Sequence, residues 1–206
     1  MQIIHHRINT LDQLSKLGVE DGAEIDIRYH NNELVLHHDP FGHHVNSPLL
    51  FESFLKSWTY NGPLILNLKS EGVEDACIKL MTSYKIDNWF FLDISMPFLV
   101  KYSLIASKNS LLGFSPSNLA VRFSDFEPFE YAISFRGRAS WVWIDTFQSL
   151  ALNHENYEKL TDAKFQLCLV SPELQGGSEE DILSMKALIK DFSIDAVCTK
   201  FPNLWQ

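Results

Sequence analysis

Short apolar runs rich in β-branched and aromatic residues alternate along this 206-residue chain with longer segments of helical period. Apolar runs of that length suit strands covered on both faces, so the alternation predicts a parallel sheet built from β-α units. The strand candidates are Ile3–Ile8, Ala23–Tyr29, Leu64–Lys69, Trp89–Ser95, Leu119–Ser124, Trp141–Phe147, Lys164–Ser171 and Asp195–Lys200, with a short ribbon over Glu33–His37 after the second. No low-complexity linker or internal repeat interrupts the pattern, so residues 1–206 are expected to form one compact domain. Eight strands with intervening helices predict an α/β fold of the (β/α)8 TIM-barrel type, at the small end of its range of about 200 to more than 400 residues. The competing arrangement is an open doubly wound sheet. It usually carries a Gly-rich turn after its first strand, where this chain has Arg7-Ile8-Asn9.

Helix start signals fall where a barrel needs them. Thr10-Leu11-Asp12-Gln13 reads as a capping box. Ser47-Pro48 and Ser95-Met96-Pro97 each place a hydroxyl cap and a proline near a first turn. Ser178 with Glu179, Glu180 and Asp181 puts a cap and negative charge at the positive end of a helix dipole, ahead of the apolar spacing Ile182, Leu183, Met185, Leu188, Ile189. Trp58 and Trp205 are expected to pack in the core.

Charge narrows the function classes. With 26 acidic against 17 basic side chains and a formal charge of −9, the chain is not expected to bind nucleic acid through a general basic surface, although a few local cations suffice for one small anionic ligand. No stretch approaches the roughly 18 uninterrupted apolar residues of a membrane span. Met1-Gln2 leads into Ile3-Ile4 without a basic region and an apolar signal core. Cys77, Cys168 and Cys198 are odd in number and widely spaced, which fits reduced thiols, so the expected compartment is the cytoplasm.

Histidine is distributed unevenly. Of eight, seven (His5, His6, His30, His37, His38, His43, His44) lie in the first 44 residues. A residue that titrates near neutrality and readily binds metals, crowded in this way, points to proton transfer or metal chemistry near the amino end. His43-His44, after Pro40 and Gly42, reads as surface loop.

In Ala23-Glu24-Ile25-Asp26-Ile27-Arg28, alternation sends Glu24, Asp26 and Arg28 to one face. In an isolated amphipathic strand that face is solvated. In a barrel it points inward, where two acids need a counter-charge from a metal or from cations. His6, followed by Arg7, closes strand one, and His38, followed by Asp39, ends the run Leu34-Val35-Leu36. Two histidines around a phosphoryl group are equipment for acid–base phosphodiester cleavage; either alone reads as an ordinary core or surface residue. Asn67 and Lys69 share a face at the end of strand three, as a cation-binding carbonyl and a phosphate-binding charge or as a solvated terminus. Arg122, Asp93 and Asp145, each within an apolar strand, line the mouth or form ion pairs without a catalytic role. Glu173 ends strand seven, in reach of substrate.

These residues resemble the glycerophosphodiester phosphodiesterases, part of a wider group of barrel phosphodiesterases. That family opens with His-Arg-Gly, then a Glu-x-Asp strand, then a hydrophobic run ending in His-Asp; here these are His6-Arg7, Glu24-Ile25-Asp26 and Val35-Leu36-His37-His38-Asp39. Its third strand ends in Glu-x-Lys and its last in Thr-Asp-x-Pro, similar to Asn67-Leu68-Lys69 and Thr199-Lys200-Phe201-Pro202. The resemblance implies a TIM barrel, His6 and His38 as the acid–base pair, and Glu24, Asp26 and Asn67 as ligands of Mg²⁺ or Ca²⁺. It further implies Arg7 and Lys69 as phosphate contacts; Arg122 and Glu173 are expected at the substrate from their own places on and at the end of their strands. The implied activity is metal-dependent hydrolysis of a small or lipid-derived phosphodiester to a phosphomonoester and an alcohol. The departures are Ile8 for the family glycine, Asn67 for its third acid, Lys200 for a late acid, and about 25 residues between His38 and strand three, too few for the usual insertion. They keep open a barrel that binds a phosphorylated ligand without turnover. An all-β cupin-like metal site is disfavoured by the helical periods. The sequence leaves the oligomeric state open.

Overall fold

Eight parallel strands close on themselves in the computed structural model, which describes residues 1–41 and 48–206. The ring runs β1 (Gln2–His5), β2 (Gly22–His30), β5 (Leu64–Leu68), β6 (Trp89–Leu92), β7 (Ala120–Phe123), β8 (Trp141–Ile144), β9 (Gln166–Val170), β10 (Ala196–Thr199) and back to β1. Between β6 and β7 the closure rests on the parallel bridge Phe91–Leu119. This is the expected (β/α)8 barrel.

Alternation along the strands assigns each residue to a layer. Ala23, Ile25 and Ile27 of β2, and Leu64, Leu66 and Leu68 of β5, join the large core between strands and helices. The alternate residues Ile4, Ile65, Phe90, Leu92, Ala120, Trp141, Trp143, Cys168, Val170, Ala196 and Cys198 form a second, smaller core that fills the barrel. Phe90 and Trp141 stack across it, with ring centroids 4.8 Å apart. Trp205 is buried and donates its indole N–H to Ser171 Oγ at 2.8 Å, while Trp58 packs partly buried against the outer core. Cys77, Cys168 and Cys198 are all buried free thiols.

The strands stop sooner than their apolar runs suggest. Arg7 at φ 56° ends the first at His5, Asp93 at φ 60° ends β6 at Leu92, and Lys164 at φ 67° delays β9 to Gln166. A single left-handed residue suffices to break a strand, and none of these three is the glycine that usually announces one.

Helices cover the outside: α3 (Glu74–Ser83), α4 (Met96–Ser107), α5 (Phe129–Ser134), α6 (His154–Asp162) and α7 (Glu179–Leu188) follow β5 to β9 in turn. The helix after β1 shrinks to the single turn α1 (Leu11–Leu14), and β10 is followed by a 3₁₀ turn, which is how so short a chain completes the circuit. Thr10 caps α1 through a bond from the Gln13 amide at 3.2 Å, but Gln13 Oε1 reaches back to the amide of Asn9 rather than to that of Thr10. Ser178 and Asp181 form the reciprocal box on α7, whose buried face is Ile182 and Met185, continued by Ile189, while Leu183 and Leu188 face outward. Ser95 occupies the cap position of α4 without a side-chain cap bond, and Pro97 lies in the first turn. Ser47, His43 and His44 lie outside the described residues, and the helix expected near them, α2 (Phe51–Lys56), starts at Phe51 with Leu50 at its cap. Among the described residues no helix is long and apolar enough to cross a membrane.

Between β2 and α2, the expected ribbon is present as β3 (Glu33–Leu36), antiparallel to the far end of β2 and paired in turn with the two-residue β4 (Leu49–Leu50). The nine residues of β2 therefore serve twice, with Ala23–Ile27 paired to β5 in the barrel and Ile27–His30 carrying the hairpin above its mouth.

Candidate functional site

The hairpin returns the chain to the barrel mouth at His38. Arg28 fixes that return, donating Nε and Nη2 to the His38 carbonyl at 3.1 and 2.7 Å and Nη1 to the Lys69 carbonyl at 3.0 Å. On the other side of β2, the turn His6-Arg7-Ile8 is stitched to Glu24: the Arg7 amide donates to Glu24 Oε2 at 2.8 Å and the Ile8 amide to the Glu24 carbonyl at 2.8 Å. Arg7 takes the left-handed conformation itself, which leaves Ile8 free to be β-branched and to bury in the outer core. The turn thus accommodates the departure from His-Arg-Gly.

Glu24 and Asp26 point inward, 1% and 0% exposed, above the apolar plug. Glu24 also accepts from Asn67 Nδ2 at 2.8 Å. Burial, reinforced by Asp26, pushes its carboxyl up to about 7, against the pull of the two donated hydrogen bonds and of Lys69. Asp26 exchanges two bonds with Asn9: its amide donates to Asn9 Oδ1 at 2.9 Å, and Asn9 Nδ2 donates to its Oδ2 at 2.8 Å. Its other oxygen, Oδ1, is buried without a hydrogen-bond partner, 3.7 Å from Lys69 Nζ. Asn67 Oδ1 is equally bare, and Asp26 and Asn67 are register partners across β2 and β5. A buried oxygen left bare is costly unless something binds it. Two such oxygens on neighbouring strands, with Glu24 beside them, form an all-oxygen donor set that fits a hard divalent cation. Among the described residues no three His, Cys, Asp or Glu side chains form a metal cage by themselves, so the amide oxygen is needed to complete one.

His6 is held to β10 by its amide on the Thr199 carbonyl at 3.1 Å. Its Nδ1 is buried and unpartnered, and its Nε2 lies 3.8 Å from Glu24 Oε2. Desolvation, with Arg7, Lys200, His38 and Lys69 adding positive charge around it, lowers its pKa to about 3, so the ring is neutral at pH 7. His38 sits with Nε2 2.6 Å from Arg7 Nη2 and Nδ1 2.7 Å from Asp39 Oδ1. A guanidinium only donates, so Nε2 carries the lone pair and Nδ1 the proton that it gives to Asp39. That bond, first among the causes, holds the Asp39 carboxyl below its usual range.

The remaining expected residues continue around the mouth. Lys69 Nζ reaches Asp93 Oδ2 at 3.1 Å; Arg122 donates Nε to Asp93 Oδ1 at 2.9 Å and pairs through Nη1 with Asp145, whose other oxygen accepts from Gln175 at 2.9 Å. Burial above all, with Glu127 and Asp93 adding, pushes Asp145 up to about 6 although Arg122 opposes it. Glu173 accepts from the hydroxyls of Ser171 and of Thr199, the latter at 2.6 Å, and from the Lys200 amide at 2.8 Å. Arg7 and Lys69 therefore join the histidines and inward acids directly. Arg122 is linked to them through Asp93, and Glu173 ties β9 to β10. Asp93, expected at the mouth or in an ion pair, pairs with Arg122 and Lys69. Asn9 and Arg28 are site residues that sequence reasoning gave no role, because each acts on a partner from another part of the chain, and Asp39, noted only as the neighbour of His38, bonds its ring.

No protein-family model matches the sequence, and no curated protein matches it. Solved structures do. A glycerophosphodiester phosphodiesterase from Agrobacterium tumefaciens is similar at TM-score 0.67 and 14% identity, over 99% of this chain and 98% of that one. A glycerophosphoryl diester phosphodiesterase from Parabacteroides distasonis is similar at TM-score 0.67 and 13% identity, over 98% of this chain and 84% of that one. The chain has the fold of these proteins.

Proposed function

We propose that this protein hydrolyses a glycerophosphodiester-type substrate, small or lipid-derived, to a phosphomonoester and an alcohol, with His6 and His38 as the proton-transfer pair. The observation that carries the reading is the convergence of both histidines, Arg7, Lys69 and the inward pair Glu24–Asp26 at one barrel mouth, where this fold builds its active sites. A Mg²⁺ or Ca²⁺ ion held by Asp26, Glu24 and the Asn67 amide oxygen would neutralise phosphoryl oxygens. Arg7 and Lys69 bind the remaining phosphoryl charge, and Arg7 leaves His38 Nε2 to do so. His6, neutral and short of a hydrogen bond, accepts the proton of the attacking oxygen as that oxygen bonds to phosphorus. Water as attacker gives the phosphomonoester; a neighbouring substrate hydroxyl gives a cyclic phosphate first. His38, once freed and protonated at Nε2, gives that proton to the departing alkoxide, and Asp39 stabilises its charged form. Three reduced, buried thiols support a cytoplasmic setting.

The test is release of p-nitrophenol from bis(p-nitrophenyl) phosphate and of glycerol 3-phosphate from glycerophosphocholine, with EDTA and with added Mg²⁺ or Ca²⁺. Metal-dependent turnover is expected, falling about 10²–10⁴-fold in His6→Ala and in His38→Ala with the fold retained. Near-wild-type rates in both variants would sink the mechanism. Asn67, standing where a third acid would strengthen the cation site, favours a second reading, a barrel that binds phosphorylated ligands without cleaving them. Phosphate binding by calorimetry without turnover of either diester would establish it.

A further inference from the structure

Beside His38 the mouth opens into a groove of about 720 Å³ whose apolar lining the chemistry above does not use. Its lining combines the polar Asn9, Thr10, His37, His38, Asp39 and Ser53 with the apolar Leu11, Leu36, Pro48, Leu49 and Leu50. Leu11 is 42% exposed, a large aliphatic side chain standing in water at the edge of a polar site. The apolar lining comes from separate elements, Leu11 at the start of α1, Leu36 from β3 and Leu49–Leu50 from β4, so the groove is a cleft between elements rather than one bare helix face. A small polar substrate such as glycerophosphocholine makes no use of five apolar walls. Ligand pockets of this size and lining ordinarily hold an apolar group fixed by a few polar contacts, and here one of the polar groups is the proposed proton donor.

We infer that the phosphodiester bound here carries an aliphatic chain on one ester arm, lodged between Leu11 and Leu49–Leu50 while the phosphoryl group meets His38 and Arg7. The inference rests on the hydrolytic reading above and narrows it to amphiphilic diesters.

The probes are alkyl p-nitrophenyl phosphates with methyl, butyl and octyl chains, compared in wild type, Leu49→Ser and Leu11→Ser. Each methylene that enters the groove should raise kcat/KM about fourfold. In both variants the slope against chain length should flatten, the deficit growing from methyl to octyl. A flat dependence in wild type, or the same slope in the variants, overturns the inference. If no diester is cleaved at all, the hydrolytic reading fails separately, and calorimetry with monomeric dodecylphosphocholine decides the groove by itself. Binding that weakens at least tenfold in Leu49→Ser sustains the groove; no binding, or equal binding, removes it. Should sedimentation instead show a wild-type dimer that Leu49→Ser dissociates, the groove is a contact between two copies and the inference falls.

Discussion

Asn67→Asp separates a structural amide from a cation ligand. In the wild type Asn67 Nδ2 donates to Glu24 Oε1 at 2.8 Å, at a site where Glu24 and Asp26 are all but fully buried and Asn67 itself is 8% exposed. The substitution removes that hydrogen bond to a charged group, of the order of 1.5–3 kcal/mol, and turns a donor into a third carboxylate facing the other two. An uncompensated buried charge brings the total cost to about 3–5 kcal/mol, a large part of the stability of a domain. With a urea slope near about 3 kcal/mol/M for a chain of this size, the unfolding midpoint in EDTA should fall by about 1–2 M. The loss should be larger at pH 8.5 than at pH 6. Glu24, already held near 7, takes up a proton at the lower pH and shares it with the new carboxylate. A hard cation then reverses the balance, because the third carboxylate strengthens its site. At a concentration of one hundred times Kd, Mg²⁺ or Ca²⁺ should restore about 2.7 kcal/mol, and wild type should gain less at the same concentration. Circular dichroism during urea titration, with EDTA and with each cation, reads both effects. Wild-type stability in EDTA would refute the structural role of the amide. A loss that neither cation repairs would refute the cation site.

Asp39→Asn should lower kcat by part of the roughly 10²–10⁴-fold that proton transfer contributes and leave KM nearly unchanged; an unchanged kcat removes Asp39 from the mechanism. Arg122→Met strands Asp145, which is 1% exposed, and should cost about 3–5 kcal/mol at pH 8 but less at pH 5, where a carboxyl already raised to about 6 is protonated; equal losses by urea unfolding at both pH values would contradict this. His6 takes up a proton near 6.5 when unfolded but only near 3 when folded, so it contributes stability that is present above pH 6.5 and lost as pH falls toward 3. Glu24, raised to about 7 in the folded state, works in the opposite sense, its contribution falling as pH rises from 4.5 to 7. In His6→Gln only the second slope survives, so between pH 4 and pH 7 its stability should change by roughly 3 kcal/mol relative to wild type, in the direction of loss at the higher pH. Parallel pH curves for the two proteins would show that His6 is not held neutral.

The barrel was legible because a strand covered on both faces has no choice but to be apolar, and eight such runs survive in the sequence with their helices between them. Strand ends were not legible. They are set by Arg7, Asp93 and Lys164 in left-handed conformations, and nothing in the composition of those positions marks a break. The helix after β1 was legible in its cap and not in its length, since Thr10 initiates α1 but only Leu14 of its four residues is buried, too little apolar surface to extend it. Likewise the run Ile182 to Ile189 announces a helix, yet only the positions on its inner face, Ile182, Met185 and Ile189, are covered.

The site follows from the same two-residue period carried to the ends of the strands. Along β5, β7 and β8 the inward positions pass from Ile65, Ala120, Trp141 and Trp143 in the plug to Asn67, Arg122 and, just past β8, Asp145, beside Glu24 and Asp26 of β2, so parity indicates which polar groups face inward. Parity does not reach across loops. His6 and His38 are 32 positions apart, and what joins them is a hairpin whose return is pinned by Arg28 on two carbonyl groups, a bond between side chain and backbone that no residue pattern encodes. The apolar plug then gives the mouth its chemistry. Buried in the barrel, Glu24 and His6 lose water, and charge that solvent would have screened acts instead on their protons. The same barrel therefore raises a carboxyl to about 7 and lowers an imidazole to about 3 within 3.8 Å of each other, each through loss of water reinforced by like charge.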